Sequence, residues 1–166
     1  WKELEKEGFV FKSSSDTEVL AKAYQRWGES CFERFVGFWA VAIYDFGKRQ
    51  LLLSRDRLGK APLYIYRNNQ GLFWSSELNV LLNMHKQERT EVDSQSIYHF
   101  VNWHKRDFDD RTFYKNIKSF PKASLSWVSA DRGLSPIRYW SFPTSRQSAQ
   151  NISIPEAKEQ FNELIG

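Results

Sequence analysis

The stretch LLLSRDRLGKAPLYIYR, residues 51–67, carries the strongest fold signal in the chain. An apolar run stops at the alternating charges Arg-Asp-Arg (55–57), turns through Gly59 and resumes after Pro62 as a tyrosine-rich run. Glycine adopts turn conformations that other residues avoid, and proline fixes its own backbone angle, so this pattern predicts a tight turn between two strands. On residue types alone, the charged side chains are expected to lie in solvent at the end of the crossing.

Other strand patterns lie on both sides of this stretch. Residues 36–46 and 50–55 are apolar on both faces, which predicts two strands that are covered on both sides. The remaining predicted strands are a short one in FVFKS, a hairpin of PLYIYR and LFWSS about NNQG with Gly71 at its end, and a last hairpin of SLSWVSA and SPIRYWSF about DRG.

Helical patterns precede and follow these strands. WKELEKEG predicts helical turns that end at Gly8, and residues 15–27 form an apolar stripe that begins with the capping-box spacing of Ser15 and Glu18. Shorter helices are predicted in SELNVLLNM and in DSQSIYHFVNW, the latter capped by Asp93 or Ser94. Buried strands with helices before and after them predict a layered α+β domain.

The composition narrows the function classes. The 166 residues carry a net charge of +4 and many aromatic side chains, which is compatible with nucleic-acid binding. The charges alternate in sign, as in KELEKE, so we do not expect a nucleic-acid partner. No run approaches the roughly 18 apolar residues of a membrane helix, and we expect no membrane partner. The single cysteine fits a reducing compartment, so we expect a cytoplasmic protein.

Common catalytic and metal-binding motifs do not stand out. The sequence contains neither a Walker pattern nor a dinucleotide fingerprint. His85, His99 and His104 have no ligand-like spacing, so no metal site is expected. Cys31 has no nearby histidine in the sequence and is expected to pack as a small apolar residue.

Several segments together resemble a known family. SSDTEVL, RFVGFWAVAIYDFGKRQLLLSRDRLGKAPLYIYR, LFWSSELNVLL and TFYKNIKSFPKASLSWVSADRGLSPIRYW occur in this order. The series is similar to the N-terminal glutaminase domain of glutamine-hydrolysing asparagine synthetases, a class II glutamine amidotransferase. The family's corresponding patterns are SDTEV, GMFAFALWD, RDRFGIKPLYY, FASEIKAL and IKKLPPGHY, followed by YW.

The resemblance implies a fold and a reaction. The family's fold is the N-terminal-nucleophile (Ntn) hydrolase-like αββα sandwich, antiparallel sheets covered by helices, here incomplete at its N-terminus. In the family, an N-terminal cysteine thiolate attacks the side-chain amide of L-glutamine, ammonia leaves, and water releases glutamate from the thioester. Because that cysteine would precede Trp1, we expect no catalytic residue in this chain. The resemblance further implies an aspartate-amidating synthetase domain that uses ATP and Mg²⁺, and a homodimer is one expected assembly state.

The resemblance, which covers residues 1 to about 143, and the polar, apolar-poor composition of the residues after it divide the chain. Residues 1–143 are expected to form the glutaminase domain without its N-terminal catalytic segment, residues 144–153 a polar linker, and residues 154–166 the first helix of a following synthetase domain. The chain begins with Trp1 and its only methionine is Met84, so we expect it to be a piece of a longer protein.

Asp16 is the one substrate-binding residue that the resemblance carries over. Its carboxylate in SSDTEV would accept the α-ammonium group of glutamine, and such a charge-assisted contact distinguishes an amino acid from a simple amide. An acidic residue in the first turn of a helix also stabilises the helix without any ligand. Both roles stay open at this point.

The resemblance implies that the charged turn within residues 51–67 is a structural signature of the family. Arg55, Asp56 and Arg57 are implied to form a scaffold near a domain interface, with Gly59 and Pro62 shaping the turn. The family usually has lysine directly before the proline, whereas this chain has Ala at 61 and Lys at 60. We expect the turn to survive this change.

Two alternatives to an active amidotransferase remain. One is a degenerate amidotransferase-like domain that serves as a binding or scaffold module, and the other is a basic aromatic nucleic-acid module. The acceptor is also open, because relatives of this domain amidate aspartate or serve cell-surface sugar and antibiotic pathways.

Overall fold

A computed structural model describes residues 1–84, 91–104, 109–129, 133–142 and 152–165. The helices within these ranges are α1 (Lys2–Lys6), α2 (Asp16–Trp27), a 3₁₀ turn (Gly28–Ser30), α3 (Cys31–Arg34), α4 (Leu78–Met84), α5 (Ser94–Trp103) and α6 (Ile154–Ile165). The strands are β1 (Ala40–Asp45), β2 (Gln50–Arg55), β3 (Tyr64–Asn68), β4 (Gly71–Ser75), β5 (Ile117–Ser119), β6 (Ser124–Ser129), β7 (Gly133–Leu134) and β8 (Ile137–Arg138).

The strands form two antiparallel sheets. In the first sheet β1 pairs with β2, β2 pairs with β6, and β6 also pairs with the short strands β7 and β8. In the second sheet β3 lies between β4 and β5. The hairpin predicted about NNQG is confirmed, with Asn68 opposite Gly71. The last predicted hairpin is also confirmed, although its second strand consists of the two short strands β7 and β8. Its DRG turn falls mostly outside the described residues.

Successive residues of β2 show how the layers stack. Leu52 packs with Phe32 of α3 in a core between the helices and the first sheet. Leu53 points to the opposite face and packs with Ile65 of β3 in a core between the two sheets. Behind the second sheet, Tyr66 packs with Leu81 of α4. The order helices, sheet, sheet, helix confirms the αββα sandwich and explains why β2 is apolar on both faces.

Strand β1 departs from the prediction that residues 36–46 are covered on both sides. It is an edge strand whose described partner is β2 alone. Within β1, Tyr44 is 51% exposed, and beside the strand Val36 is 93% exposed, Phe38 66% and Phe46 84%. The run is apolar on both faces, but only β2 is buried on both.

The segment before α2 also differs from the prediction. Helix α1 ends as expected, with Gly8 at a φ of 88° directly after its C-cap residue Glu7. The following residues 9–13, predicted to be a strand, form no strand. Instead, side chains of α2 form hydrogen bonds with the backbone of this segment.

The remaining helices agree with the sequence. Helix α5 has Asp93 as its N-cap, whose carboxylate accepts a hydrogen bond of 3.0 Å from the Ser96 N–H. Most of the expected linker lies outside the described residues, and so the domain boundaries predicted from composition stay predictions. Within the described ranges, no helix is long and apolar enough to cross a membrane.

Candidate functional site

The charged turn after β2 is built around the carboxylate of Asp56, which is fully buried. One carboxylate oxygen accepts hydrogen bonds from the N–H groups of Leu58 and Lys60, at 3.0 and 3.1 Å, and the other accepts one from Ala61 at 2.9 Å. A buried carboxylate is costly unless its lone pairs are satisfied, and here backbone donors of the turn satisfy them. The side chain of Asp56 therefore organises the turn.

Arg55 is also buried, at 8% exposure, and its guanidinium joins the turn to the second sheet. It donates to the carbonyls of Gly59 and Ala61, at 2.7 and 2.8 Å, and to Ser119 Oγ and the Phe120 carbonyl, both at 2.7 Å. The planar fork of arginine suits such divergent acceptors. The expectation from residue types, that these charges lie in solvent, is wrong for Arg55 and Asp56.

Arg57 faces the other side of the turn. It donates to the Glu33 carbonyl of α3 at 2.6 Å, and its guanidinium lies 5.5 Å from the centre of the Trp140 ring. Next to it, Tyr139 donates its hydroxyl hydrogen to the Arg55 carbonyl at 2.7 Å. Burial, followed by the charge of the Asp56 carboxylate, raises the pKa of Tyr139. The turn is thus tied to α3 and to the chain after β8.

Gly59 lies where a side chain has little room. Its φ is 69°, and an added Cβ would lie 3.0 Å from Lys122 Cβ and 3.2 Å from Arg55 Cζ. Pro62 follows Ala61, whose N–H is bound to Asp56, so the turn uses the last donor before the proline. Lys60 contributes its backbone N–H to the turn, and the displacement of the family's lysine by one place leaves the hydrogen bonds to Asp56 in place.

Asp16 lies elsewhere, at the start of α2, on the rim of a cleft of about 550 Å³. The other residues that line the cleft are Trp1, Ser14, Thr17, Val19, Leu20, Phe35, Val36, Gly37, Phe38, Trp39 and Val41. The Asp16 carboxylate is exposed, and its described contact is a long one of 3.5 Å from the Thr17 hydroxyl. Within the part of the chain that the structure describes, no cation pairs with Asp16.

The cleft is mainly apolar around this one carboxylate. An unpaired carboxylate at the rim of an apolar cleft can accept a cationic group of a ligand, while the cleft receives the ligand's carbon chain. Such an arrangement suits a small molecule that carries an ammonium group.

The structure does not bring Asp16 and the turn into one cavity. Arg55 and Gly59 line a separate pocket of about 290 Å³. Trp39 connects the two regions, because it lines the Asp16 cleft while its carbonyl accepts the Asp56 N–H at 2.9 Å. Trp39 was not identified from the sequence. Its role depends on the hydrogen bond between its carbonyl and the Asp56 N–H, and no sequence motif connects these two residues.

The start of α2 differs in detail from a capping box. Ser15 is the N-cap and accepts a hydrogen bond of 3.2 Å from the Thr17 N–H. Glu18 does not bond the Ser15 N–H directly; it accepts from the N–H groups of Lys12 and Ser13 and from the Ser13 hydroxyl. These bonds, the one from Lys12 first, lower the pKa of Glu18 to about 2.

Among the residues that the structure describes, the remaining candidates do not form a reactive site. Cys31 is fully buried, and burial raises the pKa of its thiol to about 12. His99 lies within α5, His104 is the C-cap residue of that helix, and His85 lies outside the described residues. Among the described residues, no group of three His, Cys, Asp or Glu side chains is arranged to hold a metal ion.

Comparison with known proteins identifies the family. Residues 1–140 match the family described as a glutamine amidotransferase domain. The chain belongs to this family. The amidotransferase domain is 29% identical to asparagine synthetase [glutamine-hydrolyzing] 3 of Bacillus subtilis over 147 residues, which cover 89% of this chain and 24% of the relative. It is 36% identical to asparagine synthetase B [glutamine-hydrolyzing] of Escherichia coli over 75 residues, 45% of this chain and 14% of the relative.

The fold of the amidotransferase domain is also found in a solved structure. The glutamine phosphoribosylpyrophosphate amidotransferase from B. subtilis, solved with ADP and GMP, superposes with a TM-score of 0.58 at 19% identity, covering 86% of this chain and 26% of that one. The likeness supports the Ntn-type sandwich. The chain spans about a quarter of the length of the first curated relatives it matches.

Proposed function

We propose that this chain is the glutamine-binding part of a glutamine-dependent amidotransferase of the asparagine synthetase type. The main observation that supports this proposal is the Asp16 carboxylate. It is exposed at the rim of an apolar cleft and has no cationic partner among the described residues. Asp16 receives the α-ammonium group of L-glutamine, and the apolar wall contacts the methylene groups of the substrate. The names of two relatives, which describe them as glutamine-hydrolysing asparagine synthetases, support this assignment.

The chemistry at the glutamine amide belongs, in this proposal, to a cysteine upstream of Trp1. Its thiolate attacks the amide carbon, ammonia leaves, and water cleaves the thioester to release glutamate. The only cysteine of this chain, Cys31, is buried with a raised pKa and is unsuited to that attack. The role of residues 1–166 is therefore to bind and orient glutamine.

The finer parts of the proposal concern the whole protein. Ammonia is transferred to aspartate in a synthetase domain after residue 166, and that domain, rather than this chain, holds ATP and Mg²⁺. A cytoplasmic location and a homodimer belong to the same proposal.

The test compares two nitrogen sources in the full-length protein. Asp16→Asn keeps the size of the side chain and removes its charge. Losing the partner of a charged group costs about 1.5 to 3 kcal/mol, so glutamine use should fall by about 10- to 150-fold. Asparagine formation from free ammonia and aspartate should stay near the wild-type rate, because it bypasses the cleft.

Each other outcome rejects a defined part of the proposal. Equal losses with both nitrogen sources would make Asp16 a helix-stabilising residue only. Glutamine hydrolysis without asparagine formation would retain the glutaminase and reject aspartate as the acceptor. An inactive wild-type protein would favour the binding or scaffold module.

A further inference from the structure

The irregular segment before α2 is held by two side chains of that helix. Glu18 accepts from the Lys12 N–H, at 2.9 Å to one carboxylate oxygen and 3.1 Å to the other, and from the Ser13 N–H at 2.8 Å. One turn later, Lys22 donates to the Val10 carbonyl at 2.6 Å and lies 5.2 Å from the centre of the Phe11 ring. Glu18 and Lys22 are themselves paired at 3.2 Å. The path of residues 10–13 is therefore set by the pair Glu18 and Lys22.

A hydrogen-bond relay connects this pair to the residue before Asp16. The Ser13 hydroxyl donates to Glu18 Oε2 at 2.7 Å, and its oxygen accepts the Ser15 N–H at 3.3 Å. Ser15 in turn caps α2 through its side chain. A serine hydroxyl thus stands between the Glu carboxylate and the N-cap N–H, which a capping box would join directly.

The relay lies next to the ligand cleft. Ser14, between the two relay serines, lines the cleft together with Asp16. Asp16 itself is exposed, and among the described residues its side chain has only the long contact from Thr17, so this side chain does little to fix its own direction. Its position depends on the backbone of the preceding serines, which Glu18 holds.

We propose that Glu18 is a positioning residue for substrate recognition, acting through Ser13 and Ser15 to hold the Asp16 carboxylate where the α-ammonium group of glutamine binds. This inference rests on the proposed function of Asp16. The relay restrains the residues on the N-terminal side of Asp16, while α2 restrains those on its C-terminal side. Removing the relay leaves the carboxylate present but less well placed, which weakens recognition of the ammonium group.

Two variants of the full-length protein test the relay. Glu18→Gln removes the charge and gives the side chain a donor that faces other donors, and Ser13→Ala removes the bridging hydroxyl. We expect KM for glutamine to rise by about 3- to 10-fold in Glu18→Gln and about 2- to 5-fold in Ser13→Ala. Ammonia-dependent synthesis should be unchanged, and Ser13→Thr, which keeps a hydroxyl, should restore most of the affinity.

The matched control is Glu7→Gln. Glu7 pairs with Arg26, which lies in α2 like Glu18. Among the described contacts, neither Glu7 nor Arg26 contacts the segment before Asp16. Glu7→Gln should leave KM for glutamine unchanged. A rise in KM equal to that of Glu18→Gln would show that any loss of an ion pair on α2 has this effect, and would overturn the relay.

A substrate analogue separates positioning from stability. 4-Carbamoylbutanoate has the amide and carboxylate of glutamine but lacks the α-ammonium group, and ammonia release reports the hydrolysis of both compounds. Glu18→Gln should reduce the preference for glutamine over this analogue by about 3- to 10-fold, because only glutamine needs the Asp16 contact. Equal losses for both compounds would reduce Glu18 to a structural residue.

Asp16→Asn distinguishes failure of this inference from failure of the proposed function. If Asp16→Asn weakens glutamine use while Glu18→Gln and Ser13→Ala do not, the relay is wrong and the function stands. If Asp16→Asn has no effect on the preference for glutamine, both are wrong. A double variant of Asp16→Asn and Glu18→Gln should be no worse in glutamine preference than Asp16→Asn alone, because Glu18 acts through Asp16.

Discussion

Arg55, at the end of β2 in the first sheet, donates a hydrogen bond of 2.7 Å to the carbonyl of Phe120, directly after β5 of the second sheet. The neighbouring Asp56 has a matching backbone role, because its carbonyl accepts the Ala123 N–H at 2.8 Å just before β6. The turn that follows β2 therefore joins both sheets by side-chain and main-chain bonds. Its charges are structural, and the backbone N–H of Asp56 also bonds the carbonyl of Trp39, which lines the Asp16 cleft.

The carboxylate of Asp56 should be sensitive to an isosteric change. Asp56→Asn keeps one oxygen but places an NH₂ group against a backbone N–H, so at least one backbone donor of the turn loses its acceptor. We expect the free energy of unfolding to fall by about 1.5 to 3 kcal/mol, the usual scale for hydrogen bonds to a charged group. Urea unfolding of the variant beside the wild type measures this.

Asp93→Asn provides the control for Asp56→Asn. Asp93 accepts the Ser96 N–H as the N-cap of α5, and asparagine caps helices about as well as aspartate. We therefore expect Asp93→Asn to lower the free energy of unfolding by less than about 0.5 kcal/mol. Similar losses in the two variants would show that the buried bonds of Asp56 have no special weight.

Gly59 tests how closely the turn is packed. Alanine at this position must adopt a φ of 69° and place its Cβ 3.0 Å from Lys122 Cβ and 3.2 Å from Arg55 Cζ. We expect Gly59→Ala to destabilise the protein by about 1 to 3 kcal/mol. The change in melting temperature reports the effect.

Gly8→Ala separates backbone strain from crowding at Gly59. Gly8 has a φ of 88°, also in the left-handed region, but an added Cβ would meet nothing within 4 Å. Gly59→Ala should therefore lower the melting temperature further than Gly8→Ala. The reverse order would mean that the turn relaxes freely around a larger residue.

Much of the sandwich could be predicted from local pattern. The run of Leu residues in β2 indicated burial on both faces, and the structure confirms it with Leu52 and Leu53 in different cores. Residues 36–46 have a similar pattern, yet Tyr44 of β1 is 51% exposed, and β1 lies at the edge of its sheet. Hydrophobic pattern reports that a face can be buried, whereas strand order decides whether it is.

The site was harder to predict because its partners are distant in sequence or are backbone groups. Charged residues usually remain in solvent, and nothing in the RDR triplet shows that Arg55 bonds a carbonyl 65 residues away. The spacing of Ser15 and Glu18 indicated a cap, but the bridging hydroxyl of Ser13 depends on the path of a segment that was predicted to be a strand. Asp16 was identified from the motif around it. The cleft beside Asp16 could not be predicted from the sequence, because residues from several elements of the fold line it.

The last prediction concerns Cys31. Its thiol is fully buried with its pKa raised to about 12, so almost none of it is thiolate near neutral pH. A thiol-specific reagent such as DTNB should therefore react with residues 1–166 slowly under native conditions and rapidly in denaturant. Residues 1–166 alone should release no glutamate from glutamine, and Cys31→Ala in the full-length protein should leave glutamine hydrolysis unchanged apart from a loss of stability. Glutamate release by residues 1–166 that disappears in Cys31→Ala would instead place the nucleophile at Cys31 and overturn the proposed division of roles between Asp16 and an upstream cysteine.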